Sequence, residues 1–406
     1  MTGNDFLQPN YVVWLHNVRT GNFYDISNYI NNIQISTAID GTPGKMTCDI
    51  INYGNLEIEK GSTISIDYGK FSATTGTHVY FGFIFSKKFN STDPKVERVT
   101  CYDHLRYLKN TTSMSISNMT FETVLLQICK EFCVPIYMKN DTQGYILKSV
   151  QFDNASSMEI IQHCIKDIYS FTKERFLVRD EFGYLMLLNI RNLGKNYHLK
   201  WGKSITRYEY ETEIDSATFN IVEAVYSSQG NVGHKVVFQN ENNQLCYGIL
   251  KKTDTSADYF DSAETLNNFI TAAGVKYLTD TIKIKIECVP LPELKAGDVI
   301  VITIPVSNEG DRVANYEITE GGVMKNDYKE GVAQYRGDLS MIVMIESCTH
   351  KINKGGHSTI LTVAPLDYDS TLKDYKDYGW GYLSDEGEAE RKKIEELRNQ
   401  LGVIRP

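Results

Sequence analysis

Two stretches of this chain carry the same pattern of residues. Residues 57–66, "EIEKGSTISI", and residues 293–302, "ELKAGDVIVI", share a glutamate, an aliphatic residue, a glycine and two isoleucines in register. In each copy, two strand-like segments separated by a turn follow: "VYFGFIFSKKF" and "VERVTCYDHL" after the first, "MIVMIESCTHK" and "STILTVAPLDY" after the second. Because such a duplication repeats a supersecondary unit, the sequence predicts two related β units in one chain.

The segments around both copies have the composition of short strands. In "STISIDY", for example, isoleucines alternate with polar residues, which is the period-two pattern of a half-buried strand. Turn residues such as Asn, Gly, Asp and Pro separate the segments. We therefore predict two small, tube-like β-barrel domains at residues 1–110 and 201–370, the second with a helix at 261–278 and a long polar loop at 306–339.

The period of the pattern changes to that of a helix at about residue 111. "TFETVLLQICKEFCVP" reads as an amphipathic helix, and "SSMEIIQHCIKDIYSF" begins with a capping box of Ser156 and Glu159. A hairpin that turns at Asp-Glu-Phe-Gly follows in "ERFLVRDEFGYLMLLNI". Residues 111–200 are thus predicted to form a peripheral α+β domain, and the fold class is mainly β with an α+β insertion.

Charge and hydropathy exclude several classes of protein. The 406 residues include 42 Lys and Arg against 51 Asp and Glu, and the net charge of −9 argues against a protein that coats phosphate backbones. No apolar run approaches the roughly 18 residues of a spanning helix. The start, "MTGNDFLQPNYVVWLHNVRTG", lacks the pattern of a signal peptide. We expect synthesis in the cytoplasm, no membrane span and no specific nucleic-acid binding.

The stretch "HKINKGGHSTI" raises the question of a metal or phosphate site. A two-residue turn at Lys354-Gly355 places His350 opposite Thr359, with His357 as a diagonal neighbour roughly 7 to 8 Å away. A metal would need further ligands, and a phosphate-binding P-loop is followed by a helix, whereas a strand follows here. A structural hairpin is the favoured interpretation, and the alternatives are a metal site and polar contacts of the histidines at an interface.

Other reactive residues favour structural interpretations. The eight cysteines are scattered, and the closest pair, Cys129 and Cys133, lacks the spacing of a zinc site, so buried free thiols are expected. Cys348 lies in an alternating apolar strand and is predicted to be in the core. His163 and Cys164 point about 100° apart on a helix and cannot act as base and nucleophile. The sequence predicts no catalytic site, no metal site, no cofactor and no enzymatic activity.

The last part of the chain, residues 371–406, is predicted to be a charged, Tyr-rich linker followed by a solvated helix. The segment "DYDSTLKDYKDYGWGY" is either a plain linker or a docking strap, since Tyr and Trp are favoured at interfaces. The candidate interface residues are Tyr368, Tyr375, Tyr378, Trp380 and Tyr382.

Several segments, taken in order, resemble a known family. They are "EIEKGSTISIDYG", "VYFGFIFS", "CYDHLRYLKN", "YGILKK", the helix "SAETLNNFITAAGVKYL", "LKAGDVIVITIP" and "ESCTHKINKGGHSTILTVAP". In this order they are similar to baseplate hub proteins of contractile phage tails and R-type bacteriocins, of the late control gene D-like family. The loop at 306–339 and the charged tail depart from the plainest members.

The resemblance implies a structural role. Hubs of this kind are trimers between a six-fold tail tube and a three-fold spike, and two barrels in each of three chains give a pseudo-six-fold ring. The implied partners are further copies of this chain, the tail tube protein, the spike protein and other baseplate proteins. The alternatives are a cell-wall-active peptidoglycan hydrolase or carbohydrate-binding tail module, and a receptor-binding adhesin.

Overall fold

The structure, a computed structural model, describes most of the chain between residues 11 and 366. The described residues are 11–54, 56–69, 77–90, 93–138, 142, 144–172, 174–214, 218–228, 231–254, 281–307, 336–353 and 355–366. The predicted helix at 261–278 and the segment 371–406 lie outside this part. Within it, no helix is both long enough and apolar enough to cross a membrane.

The chain begins with seven strands that form an antiparallel arrangement. Their inward-facing residues are Ile, Val, Leu and Met at alternating positions, as the sequence pattern predicts. The strands are β1 (Tyr11–His16), β2 (Phe23–Asp25), β3 (Ile30–Ala38), β4 (Lys45–Ile51), β5 (Thr63–Tyr68), β6 (Thr77–Asn90) and β7 (Asp93–Tyr102).

The inserted module combines two helices with short strands around its own hydrophobic core. Its elements are β8 (Thr111–Ile116), α1 (Phe121–Glu131), β9 (Ile136–Met138), β10 (Val150–Ser156), α2 (Ser157–Thr172), β11 (Phe176–Glu181) and β12 (Tyr184–Asn189). The predicted capping box is present, because Ser156 N donates to Glu159 Oε2 at 2.7 Å and Glu159 N donates to Ser156 Oγ at 3.2 Å.

The predicted hairpin joins β11 and β12. Glu181 lies opposite Tyr184, so Phe182 and Gly183 form a two-residue turn. Both have positive φ, 50° for Phe182 and 93° for Gly183, as a type I′ turn requires. We call residues Phe176–Asn189 the brace hairpin.

The remaining elements follow the module. They are β13 (Gly194–Lys200), β14 (Ile205–Glu213), β15 (Ile221–Ser228), β16 (Asn231–Gln239), α3 (Glu241–Tyr247), β17 (Lys251–Asp254), β18 (Thr281–Cys288), β19 (Val299–Ser307), β20 (Arg336–Asn353) and β21 (Gly356–Pro365). Strands β15, β16 and β17 form a separate three-stranded sheet.

The other strands of the two β units form a single curled sheet of 13 strands. Its order is β14-β18-β21-β20-β3-β4-β7-β6-β5-β1-β2, and β19 pairs with both β20 and β13. The predicted fold class, mainly β with an α+β insertion, is confirmed. The two β units each have a core, and they share one continuous sheet because β20 pairs with β3.

The predicted duplication is visible in the backbone hydrogen bonds. In the first copy Gly61 N donates to Ile84 O at 2.8 Å, and in the second Gly297 N donates to Ile345 O at 2.7 Å. Both glycines have positive φ, 87° and 93°. The meander β5-β6-β7 therefore repeats as β19-β20-β21.

A β-bulge lies at the same place in both meanders. The register of β6 with β7 shifts directly after Ile84, and that of β20 with β21 shifts directly after Ile345. A shared bulge makes the two copies comparable residue by residue, with Phe85 as the counterpart of Glu346.

Strand β20 belongs to both β units. Its first half pairs with β19, and residues 347–352 pair with β3 of the first unit. Ile352, near the end of β20, is part of the hydrophobic core of the first unit. The hairpin of "HKINKGGHSTI", which we assigned to the second barrel, thus completes the first unit as well.

Two predicted boundaries differ from the observed elements. Gly194–Lys200, placed by the prediction in the inserted module, pairs in parallel with β19 in the large sheet. The predicted loop at 306–339 begins and ends in paired strand, since Ser307 lies opposite Arg336. Gly194–Lys200 adds a strand to the large sheet with Leu199 in its core, and residues 306–307 and 336–339 extend the paired strands β19 and β20.

Candidate functional site

His350 and His357 lie in a buried chain of hydrogen bonds between the two β units. Tyr11 Oη is 2.6 Å from His357 Nδ1, and His357 Nε2 is 3.1 Å from His350 Nδ1. His350 Nε2 is 2.9 Å from the carbonyl oxygen of Leu294. Strand β1 of the first unit is thereby connected to β20, β21 and the segment before β19.

The hydrogen bonds determine the tautomer of each imidazole. The Leu294 carbonyl only accepts, so His350 carries its proton on Nε2 and accepts at Nδ1. His357 must then donate from Nε2, and its Nδ1 accepts the proton of the Tyr11 hydroxyl. Both imidazoles are neutral, and all four ring nitrogens have a partner.

The two histidines connect strands of the two β units by hydrogen bonds. His350 lies opposite Thr359, as predicted, and the histidines are only 4 % and 7 % exposed, so the alternative of polar contacts at an interface does not hold. Burial lowers the pKa of both to about 4. Among the described residues, no group of three or more His, Cys, Asp or Glu side chains is placed to hold a metal.

A second polar cluster surrounds the brace hairpin. Arg179 Nη1 donates to Asp298 Oδ1 at 2.9 Å and to the carbonyl oxygen of Ala296 at 2.8 Å. Lys295 Nζ donates to Glu181 Oε2 at 2.7 Å, and Arg179 also pairs with Glu181. Burial alone would raise the pKa of Glu181, but Arg179 and Lys295 lower it to about 2. The two cations, Arg179 and Lys295, therefore neutralise Asp298, directly before β19, and Glu181 of the brace hairpin.

The tip of the brace hairpin also contacts the first unit. Asp180 Oδ2 is 2.7 Å from His104 Nδ1, and the Phe182 ring stacks on His78 with centroids 4.1 Å apart. Beside them, burial and the proximity of Asp180 raise the pKa of Asp103 well above its usual range. The brace hairpin thus binds both β units and sets the position of the module on the sheet.

The sequence that forms this architecture matches a known protein family. The family model described as YQBQ-like matches residues 33–364. The chain belongs to the YQBQ-like family. The YQBQ-like region includes both meanders, the brace hairpin and both buried histidines, whereas Tyr11 lies before it. The hub role that the resemblance implies is finer than this assignment and remains a proposal.

Relatives of this YQBQ-like chain occur in Bacillus subtilis strain 168. The phage-like element PBSX protein XkdQ is 25 % identical over 233 residues, which cover 57 % of this chain and 70 % of XkdQ. Protein YqbQ is 24 % identical over 270 residues, which cover 65 % of this chain and 79 % of YqbQ.

Solved structures share the fold of this chain. The 43 kDa tail protein of prophage MuSo2 from Shewanella oneidensis has a TM-score of 0.59 at 14 % identity, covering 87 % of this chain and 98 % of that one. A tail protein from Neisseria meningitidis MC58 also has a TM-score of 0.59, at 12 % identity, with 88 % and 97 % covered. The shared fold extends over nearly the whole of each of those chains.

Of the seven cysteines whose burial the structure describes, six are buried free thiols, as predicted. Cys164 is buried, and burial raises the pKa of its thiol to about 12, so it remains protonated. The neighbouring His163 packs edge-on against Phe152 instead, with ring centroids 5.0 Å apart. Cys133 differs from the expectation of burial, because it is exposed just after α1 with a φ of 54°.

The structure does not describe the predicted interface residues. Tyr368, Tyr375, Tyr378, Trp380 and Tyr382 follow Leu366 and lie outside the described residues. The brace cluster, by contrast, was missed. Its signal is present in "FLVRDE", where charged residues interrupt a strand that is otherwise apolar. Such residues predict a buried, paired charge, but not the identity of the distant partner.

Proposed function

We propose that this chain is a structural component of a phage tail or a phage-tail-like particle, and within it the baseplate hub. In this proposal three copies form a ring between the six-fold tail tube and the three-fold spike. The partners are the tube protein, the spike protein and other baseplate proteins. The chain acts by assembly, without catalysis.

The duplicated meander carries this proposal. Two equivalent units in one chain present two similar surfaces, so three chains offer six positions to a six-fold tube while keeping three-fold symmetry toward a spike. The shared bulge and the matched bonds of Gly61 and Gly297 support the equivalence of the units. No catalytic assembly is needed for this role.

The connection between the units suits a ring that bears load. Strand β20 spans both cores, and the brace hairpin binds both units through buried charges. A tandem of this kind moves as one body, because separation would break backbone pairs and leave charged side chains buried without partners. The relatives named as phage-like element and prophage tail proteins agree with this role.

Copy number in purified particles tests the proposal. Native mass spectrometry of the purified full-length chain and cryo-EM of particles that contain it are expected to show three copies in a ring at the end of the tube. A single copy in the particle, or absence from the tail, contradicts the hub.

A zymogram provides the contrast with the alternative function. The purified chain is expected to leave a gel of bacterial cell wall intact. Clearing of the gel by the full-length chain, and its loss in a variant of one carboxylate or thiol, would instead support a peptidoglycan hydrolase.

A further inference from the structure

The second half of β6 has an open edge in the part of the chain that the structure describes. Residues 86–89 pair with β7 on one side, and the pairing of β6 with β5 on the other side ends at Phe83. The matching half of β20 is paired on both sides, with β21 and with β3. The first meander therefore offers an edge where the second binds a neighbouring unit.

Strand β14 is the counterpart of β3. The strand order is β3-β4-β7-β6 in the first unit and β14-β18-β21-β20 in the second. Ile35 of β3 lies opposite Met46, and Tyr210 of β14 lies opposite Ile284. Followed across the sheet, each of these two rows ends at the residue directly before the shared bulge. Strand β14 is an edge strand of the large sheet, because among the described strands only β18 pairs with it.

We propose that the second half of β6 in one chain pairs with β14 of a second copy of this chain. This intermolecular joint repeats, between chains, the internal joint that β20 and β3 form within one chain. It rests on the ring of the proposed function and names the strands that connect neighbouring copies. Because β6 and β14 are different surfaces, the contact is head-to-tail, and such a contact gives a closed ring when the rotation between neighbouring copies closes.

The internal joint provides the register. Within one chain, Thr349 lies opposite Ser36, and their hydroxyl oxygens are 3.1 Å apart. Counting from the shared bulge, Lys88 is the counterpart of Thr349, and Glu211 is the counterpart of Ser36. The intermolecular joint thus places Lys88 opposite Glu211.

The next pair fits as well. His350 lies opposite Ile35 at the internal joint. Their counterparts are Phe89, which is 55 % exposed, and Tyr210, which is half-buried. Aromatic pairs across antiparallel strands stabilise a sheet, so the joint covers an aromatic side chain that is exposed in the single chain.

The charges of the two strands are complementary. Strand β6 carries Lys87 and Lys88, β14 carries Glu209 and Glu211, and all four are exposed. Opposite Lys88 on β7, Arg98 is already paired with Asp49 at 2.7 Å, and the charge that faces Lys88 across the joint is Glu211 of the neighbouring chain. Charged residues also protect both edges from unspecific pairing before assembly.

Charge reversal tests the joint. Lys88→Glu and Glu211→Lys are each expected to shift the full-length chain from about three times the 46.2 kDa of one chain to the mass of one chain. The double variant restores an opposite pair and is expected to recover the larger mass. Thermal unfolding of each variant shows whether the chain itself is folded. Lys130→Glu, on α1 of the inserted module, is the matched control.

Cysteine trapping provides a second measurement. In a Cys133→Ser, Cys246→Ser background, Lys88→Cys with Glu211→Cys is expected to give dimers and trimers on a non-reducing gel. Lys130→Cys with Glu211→Cys serves as the control and is expected to remain a single band, as is the background chain.

The outcomes separate the joint from the proposed function. A multimer that is unchanged by both reversals, with no trapped species, overturns the joint and leaves a ring built on other surfaces. A wild-type chain of single mass that gives no trapped species also overturns the joint. Loss of mass in the single variants, recovery in the double variant and trapping at the predicted pair support it. Absence from the particle's tail overturns the proposed function itself.

Discussion

The two copies of the meander have the same backbone arrangement, but different side chains donate a hydrogen bond to the equivalent carbonyl oxygen. In the first copy, Lys87 Nζ donates to the carbonyl oxygen of Ile58 at 2.7 Å from the exposed edge of β6. In the second, the equivalent carbonyl of Leu294 accepts from His350 Nε2 at 2.9 Å, with Cys348 Sγ at 3.3 Å. The covering strand β3 makes the difference, because a buried position excludes an unpaired lysine.

A second difference lies at the start of each copy. Ser62 and Asp298 occupy equivalent positions, and the backbone carbonyl of each accepts a hydrogen bond from the middle strand of its meander, from Ile84 N of β6 or Ile345 N of β20. The Ser62 hydroxyl accepts from Val18 N at 3.3 Å, whereas the buried Asp298 pairs with Arg179 of the brace hairpin. The duplicated fold therefore provides two similar frames, and at this position the inserted module pairs with the second copy, which supplies a carboxylate.

The largest contrast is expected between Asp298→Ala and Ser62→Ala. Removal of Asp298 leaves Arg179 buried without one of its two carboxylates, which costs about 3 to 5 kcal/mol of unfolding free energy. Removal of the Ser62 hydroxyl costs about 1 kcal/mol. Urea unfolding of both variants measures the difference. Equal losses would show that the brace cluster contributes no more than an ordinary hydrogen bond.

The paired glycines give the next contrast. Gly61→Ala and Gly297→Ala both place a Cβ at positive φ, which costs about 1 to 2 kcal/mol. At Gly297 the new atom would lie 2.5 Å from Leu177 of the brace hairpin, while at Gly61 the nearest atom, in Val18, is 3.7 Å away. We expect Gly297→Ala to cost about 1 to 3 kcal/mol more in urea unfolding. A smaller loss at Gly297 contradicts the close packing of the brace hairpin.

Acid is expected to destabilise the second copy through His350 and His357. Their folded pKa of about 4 lies below the ordinary value of 6.5, so the unfolded chain binds more protons between these values. The contribution of the two histidines to the free energy of unfolding is fully present above pH 6.5. It falls as the pH decreases toward 4, by at most about 1.4 kcal/mol per pH unit for each histidine.

Comparison with a His350→Leu, His357→Leu variant isolates this contribution. Carboxylates such as Glu181, with a pKa of about 2, lose their stabilising effect mainly below pH 4.5, and the raised pKa of Asp103 acts in the opposite direction. Both are retained in the variant. A wild-type slope between pH 6.5 and 5 that equals the slope of the variant contradicts neutral, buried histidines.

The smallest effect is expected for Lys87→Met in the first copy. The side chain of Lys87 is partly exposed, and water can replace its bond to Ile58, so the cost is below about 1 kcal/mol. His350→Leu in the second copy removes the donor to the Leu294 carbonyl and leaves His357 Nε2 only the Thr359 hydroxyl at 3.4 Å, which costs about 1 to 3 kcal/mol. Urea unfolding at pH 7.5 measures the loss of unfolding free energy in both variants. Similar losses would contradict the difference between the exposed edge of β6 and the covered edge of β20.

Much of the local structure follows from the sequence by itself. The duplication, the capping box of Ser156 and Glu159, and the pairing of His350 with Thr359 depend on periodicity and on residues close together in the chain. Backbone geometry restricts such features to few solutions, so a short pattern is enough to predict them.

Only the tertiary structure decided which of these features became buried, shared or joined. The sequence does not show that β20 crosses into the first unit, that Tyr11 completes the histidine chain, or that Arg179 meets Asp298. These contacts join residues more than a hundred positions apart in the chain, and burial depends on which distant segment covers a side chain. The sequence determined two similar meanders, and packing against β3 and the brace hairpin made them different.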